Sequence, residues 1–135
     1  MDRYLHQVES RSPFFREPKL ASFFLEAALV QHQKQYELIC QTVMSTHVHL
    51  VFRVLVPGLA LHQIMGSLKK YTGHRCNETL DRQGAFWQDE NWDRIVRDAD
   101  KLERIVGYVL ENPVKAGLVA DWRDWPFAWL NPDYT

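Results

Sequence analysis

The stretch Met44-Ser45-Thr46-His47-Val48-His49-Leu50-Val51-Phe52 decides the fold. Its apolar residues alternate with period two, which reads as a β-strand. Val48, Leu50, Phe52 and Val54 fall on one face, and His47, His49, Val51 and Arg53 on the other. The first face is core. The second carries two imidazoles about 7 Å apart along the strand, aimed the same way. Two neutral imidazoles at that spacing bind one metal ion when a third ligand arrives from elsewhere in the chain. In a chain with six histidines such a pair also arises by chance, so on its own it leaves both readings open.

Working outward, residues 36–44 (Tyr-Glu-Leu-Ile-Cys-Gln-Thr-Val-Met) are rich in strand formers, and the short connection at Ser45-Thr46 predicts an antiparallel hairpin. Upstream, Pro18 suits the first turn of a helix. Leu20, Phe23, Phe24, Ala27 and Ala28 then repeat at helical spacing to about Gln33. Residues 1–17 are mixed and give no strand signal. Downstream, Pro57-Gly58 ends the histidine strand. A helix is predicted over about Leu59–Thr72, with Leu61, Ile64, Met65, Leu68 and Tyr71 as its buried stripe. Lys69, Lys70, His74 and Arg75 form a basic cluster near its end, readable as a solvated face or a phosphate contact. Gly84 breaks the chain, and a short strand over Asn91–Arg97 sets Arg94 and Arg97 on opposite faces. Asp98 or Asp100 caps the next helix, which runs to about Asn112 on a stripe of Leu102, Ile105, Val106 and Val109 and stops at Pro113. The Trp-rich tail from Val114 reads as a packed, irregular wrap. This order predicts an α+β fold: an antiparallel sheet with helices on one face, leaving His47 and His49 on the open face.

Composition narrows the class. The 135 residues suit one domain over 1–135, and 46% apolar content with five Trp argues for a folded core. Cys40 and Cys76 lack metal-site or disulfide spacing and read as free thiols in a reducing compartment. Residues 1–10 are polar, no apolar run reaches membrane-spanning length, and the expected location is cytoplasmic, with no membrane partner. The net charge of −1 counts against nucleic-acid binding over a long footprint, which usually needs a basic chain; a grip on DNA would have to come from a local patch.

The last helix carries a second row. Arg104, Tyr108 and Asn112 recur every four residues, so a cation, a phenol and a carboxamide line one flank of the buried stripe. Each has a plain structural reading: a surface charge, a packed ring, and a helix end before proline.

Taken together, Val43–Val51, Ser67–Thr72, Gly84-Ala-Phe-Trp-Gln88, Asp93-Arg-Ile-Val-Arg-Asp98, Tyr108-Val-Leu-Glu-Asn-Pro-Val-Lys-Ala-Gly-Leu118 and Asp124-Trp-Pro-Phe127 resemble the single-tyrosine transposases of the HUH nuclease superfamily, in the branch of the REP-associated tyrosine transposases. The likeness spans roughly residues 18–128. It implies a ferredoxin-like sheet, His47 and His49 as a metal-binding pair, Asn112 as the third, polar ligand, Tyr108 as nucleophile, and Mg²⁺ or Mn²⁺ as the metal; imidazole ligation alone points instead to zinc or another transition metal. It also implies cleavage of single-stranded, hairpin-containing DNA through a 5′-phosphotyrosine link, by a monomer or a homodimer. Lys69, Lys70, Arg75, Arg94, Arg97 and Arg104 are the candidate DNA-backbone contacts. Tyr71 is the competing nucleophile; its place in the buried stripe shields its hydroxyl, and residue 75, one turn on, is Arg rather than Asn or Gln.

Two departures from the family pattern stand out. Thr46 replaces the Asn common before the first histidine. The family's opening strand, central in its sheet, has no clear counterpart: either Arg3–Glu9 takes its place, or the chain is shortened, or a partner subunit supplies it. Three functions remain: a metal-dependent single-strand DNA nuclease and strand transferase, a catalytically inactive nucleic-acid-binding module of the same descent, and an unrelated metal hydrolase using His47 and His49.

Overall fold

The computed structural model describes residues 5–88 and 91–134. In chain order the elements are β1 (Leu5–Arg11), α1 (Pro18–Val30), β2 (Tyr36–Val43), β3 (His47–Val54), α2 (Leu61–Leu80), β4 (Asn91–Ile95), α3 (Ala99–Leu110), a short α4 (Asn112–Lys115) and β5 (Ala128–Leu130). The five strands form one antiparallel sheet in the order β4-β1-β3-β2-β5. The first six elements follow the βαββαβ path of a ferredoxin-like fold. The predicted hairpin is present: Val43 pairs with Val48, and the Met44 N–H donates to the His47 carbonyl at 2.8 Å across the turn.

The opening segment corrects the reading of residues 1–17. Leu5–Arg11 is a strand, and it lies between β3 and β4. Of the three alternatives for the first strand, the structure takes the one in which the N-terminal segment fills the place, although Arg3 itself lies outside the described residues. The alternation was hard to see because this strand carries Gln7, Glu9 and Ser10 where a purely structural strand would carry aliphatics.

The sheet has two packed faces. Val8, Leu38, Val43, Val48, Leu50, Phe52 and Val54 meet Leu20, Phe24 and Ala28 of α1 and Ile64, Met65 and Cys76 of α2. On the other face Leu5, Ile39, Cys40 and Val51 meet Ile105, Val109 and Leu110 of α3. Helices on a single face therefore describe the βαββαβ core, while α3 covers part of the histidine face. A β-bulge permits this. The β2–β3 register shifts between Leu38 and Cys40, so Ile39 and Cys40 both point toward α3.

Smaller corrections follow from local chemistry. α2 runs to Leu80, well past Thr72, because Thr72, Gly73 and Cys76 continue its buried stripe and nothing breaks it before Asp81 turns left-handed at φ 52°. Asp98 caps α3, accepting from the Lys101 N–H at 2.8 Å. Pro113 does not simply stop the chain's helical path; it falls in the first turn of α4, where a missing N–H costs nothing. The tail is more regular than a wrap: Ala128–Leu130 adds a short edge strand to β2. Both cysteines are free and buried. Among the described residues no helix is long and apolar enough to cross a membrane.

Candidate active site

The antiparallel register of β1 against β3 sets Glu9 opposite His49 and Arg11 opposite His47. One donor atom from each of Glu9, His47 and His49 lies within 4.8 Å of the others, close enough for one cation. Glu9 is a residue that sequence reasoning missed. Its partners are about forty positions away, and only the pairing register brings them together.

The electrostatics suit a cation ligated by neutral imidazole. His49 is 1% exposed, and both its ring nitrogens are buried without a hydrogen-bond partner among the described residues. An unmet buried donor or acceptor costs about 1–3 kcal/mol, so a ligand at this ring relieves a real penalty. Burial first, then the neighbouring His47 and Arg11, holds the His49 pKa down to about 3. The 3.7 Å approach of Glu9 to its Nδ1 is therefore a carboxylate beside a neutral ring, not an ion pair. Burial also lowers the pKa of His47, with Glu9 opposing and Arg11 adding to the shift. The rings of His47 and His49 stand 4.6 Å apart and nearly perpendicular, and the Thr46 hydroxyl lies 3.0 Å from His47 Nδ1, where it orients that ring.

Tyr108 completes the constellation. Ile105 and Val109 anchor α3 on the sheet, and Tyr108, on the flank between them, stays 44% exposed. Its ring centroid is 6.0 Å from that of His49, edge to face, and the Lys115 ammonium sits 5.1 Å from the Tyr108 ring centre. Asn112 opens α4 one turn on. Its Nδ2 donates to the Tyr108 carbonyl at 2.9 Å, which ties its amide group to the end of α3 and leaves Oδ1 as its remaining polar atom.

A cleft of about 840 Å³ opens beside this cluster, lined in part by Glu9, Arg11, Arg94 and Tyr108. Of the six cations singled out in the sequence, Arg94 lines the cleft. Lys69 reaches its rim, donating to the Gln88 carbonyl at 3.3 Å and to Asn91 Oδ1 at 3.0 Å. Arg104 is exposed on α3, one turn before Tyr108, and Arg97 is exposed just past β4. Lys70 and Arg75 lie on α2, which packs on the opposite face of the sheet. Arg11 was not among the six, yet it lines the cleft.

Tyr71 differs from its predicted shielding. It is 50% exposed, and Arg75 donates to its hydroxyl at 3.5 Å. The stripe of α2 turns through Thr72 and Cys76 instead, so position 71 faces outward. The tyrosine nonetheless sits on the helix that covers the other face, away from the imidazoles.

Comparison with known proteins gives a consistent picture. A family model described as "Transposase IS200 like" matches residues 6–112. A REP-associated tyrosine transposase of Escherichia coli K12 is 25% identical over 104 residues, 77% of this chain and 60% of its own length. A candidate protein of the same name from Haemophilus influenzae is 23% identical over 107 residues, 73% of this chain and 61% of its own length. The chain thus spans about three fifths of the length of these relatives. Among solved structures, a REP-associated tyrosine transposase bound to a REP hairpin superposes with a TM-score of 0.76 at 21% identity, over 95% of this chain and 77% of its own. A candidate transposase from Deinococcus radiodurans follows at TM-score 0.53 and 15% identity, covering 78% of this chain and 87% of its own.

Proposed function

Since the chain belongs to the IS200-like transposase family, we propose that it is a metal-dependent single-stranded DNA endonuclease and strand transferase, with Tyr108 as nucleophile and hairpin-containing DNA as substrate. The observation that carries this reading is the Tyr108 ring standing 6.0 Å from His49, itself a member of the Glu9–His47–His49 cluster. A phenol and a cation site so placed can address the same phosphodiester.

Glu9, His47 and His49 would hold the cation, with Asn112 Oδ1 as the further ligand that family resemblance implies. When bound, a divalent ion of the Mg²⁺ or Mn²⁺ kind supplies positive charge to a phosphate oxygen and draws electron density from phosphorus. The protein's own groups do the rest. The Tyr108 hydroxyl attacks phosphorus, its proton leaving to solvent. The new Oη–P bond replaces the P–O3′ bond, and the departing 3′ oxygen takes up a proton. Because a phosphodiester is exchanged for a phosphodiester, the 3′-hydroxyl of another strand can reverse the step without ATP. Lys115 beside the phenol ring, and Arg94 and Arg11 in the cleft, favour an anionic strand there. Arg97, Arg104 and Lys69 are the further backbone contacts; Lys70 and Arg75 serve only a strand that wraps onto α2.

The reading of an inactive binding module drew on an absent first strand. With β1 in place and carrying Glu9 into the cation site, that ground is gone. The test is incubation with a DNA hairpin bearing single-stranded flanks and Mn²⁺, followed by denaturing electrophoresis. A covalent protein–DNA adduct is expected, absent in Tyr108→Phe, while affinity for the hairpin changes by no more than about twofold. Binding without adduct in the wild type would leave only the inactive-module reading. Phosphate-bond cleavage insensitive to Tyr108→Phe would favour a plain metal hydrolase.

A further inference from the structure

The register of β4 places a second chemistry beside the proposed cleavage site. Trp92 pairs with Glu9, and Glu9 with His49, so an indole, a carboxylate and an imidazole form one cross-strand row on the same face. Two strand spacings put the Trp92 backbone about 10 Å from that of His49. Trp92 is 49% exposed, belongs to neither hydrophobic core cluster, and lines the same cleft as Tyr108. Half an indole left in water on an edge strand adds little to folding.

The next row is as distinctive. Gln7 pairs with Arg94, and Arg94 Nε donates to Gln7 Oε1 at 2.8 Å. Arg is a donor only, so this bond fixes the amide with its NH₂ group pointing away. Gln7 is 2% exposed and lines the cleft. Arg94 also lies 5.8 Å from the centre of the Trp92 ring. A flat aromatic surface, a preset amide donor and two guanidinium groups, those of Arg94 and Arg11, share one polar cleft.

We propose that this cleft reads one unpaired DNA base beside the cleaved phosphate: the base stacks on Trp92, Gln7 Nε2 donates to an acceptor on its edge, and Arg11 and Arg94 hold the adjoining backbone. Stacking on an exposed aromatic tolerates any base; the buried amide adds the preference. The inference deepens the nuclease reading and rests on it for the position of the phosphate, but base stacking is measurable without cleavage.

The probe is a DNA hairpin with single-stranded flanks of about ten nucleotides, in which each flank nucleotide is replaced in turn by an abasic site. Wild-type protein should lose about tenfold or more in affinity at one flank position. Trp92→Ala should show that loss on the intact strand and no further loss at the same abasic site, whereas Trp92→Phe, which keeps an aromatic face, should restore the abasic penalty. 2-Aminopurine at that position should be quenched on binding to wild type and remain bright with Trp92→Ala. Mn²⁺ binding unchanged in Trp92→Ala checks that the site is intact. The inference is overturned if Trp92→Ala binds every strand as wild type does, or if its loss adds to that of each abasic site. The two readings fail separately. An abasic pattern coupled to Trp92, with no Tyr108 adduct on any strand, sustains the base pocket and sinks the nuclease. A normal adduct with no coupling to Trp92 does the reverse.

Discussion

His49 is the residue on which the site's chemistry turns, because it is buried, neutral and unsatisfied at once. Its folded pKa of about 3 lies below the value of about 6.5 for an unfolded histidine. Between those values the unfolded chain binds the extra proton, so stability rises with pH there. Metal-free protein should therefore lose stability as pH falls below about 6.5, by up to about 1.4 kcal/mol per unit from this group. Urea unfolding in chelator across that range should show the slope, and His49→Gln should flatten it. Glu9 makes a separate prediction. If it is the third donor, Glu9→Gln weakens Mn²⁺ binding by about tenfold or more in calorimetry, whereas Glu26→Gln, on the exposed side of α1, leaves it unchanged. That His47 and His49 share a face and that Tyr108 stays accessible on its helix flank was legible in the sequence, because strand and helix periods fix which way a side chain faces. Glu9 was not. It sits in a segment with no strand signature, and its value comes only from lying across a ladder from His49.

At the scale of elements, α3 is the part that makes a site of a sheet face. Ile105 and Val109 pack against Ile39, Cys40 and Val51, and the bulge at Ile39 supplies two consecutive apolar side chains to receive them. Ile105→Ala should cost about 2–5 kcal/mol by urea unfolding. In protein that remains folded it should lower adduct formation more than DNA binding, because Tyr108 rides on the loosened helix. The bulge could not be read from residues 36–44, whose strand propensity is continuous; it is a product of packing. The same holds for β5, three residues long, and for the outward turn of Tyr71, which depends on small residues Thr72, Gly73 and Cys76 taking the inner face of α2. The central place of β1 was hidden for a related reason. A strand that gives alternate positions to Gln7 and Glu9 for a polar cleft forfeits the hydrophobic rhythm by which strands are recognised.

For the molecule as a whole, a net charge of −1 means that the proposed grip on DNA must be concentrated rather than spread. Arg11 and Arg94 in the cleft, Lys69 at its rim, and Arg104 and Lys115 near Tyr108 would give about three to five phosphate contacts. The plot of log affinity against log salt should then have a slope of about −2 to −4. Arg94→Ala should make it shallower by about 0.7, and the pair Lys70→Ala and Arg75→Ala, on the helix behind the sheet, should leave it unchanged. A covalent link between strand and protein would locate the chemistry within this architecture. The most direct measurement is tandem mass spectrometry of protein incubated with a hairpin-bearing single strand and Mn²⁺, then digested with nuclease and protease. A nucleotide phosphate is expected on the peptide containing Tyr108 and on that side chain. Attachment at Tyr71 or at any other residue, or cleaved DNA with no modified peptide, would rule out Tyr108 as the nucleophile.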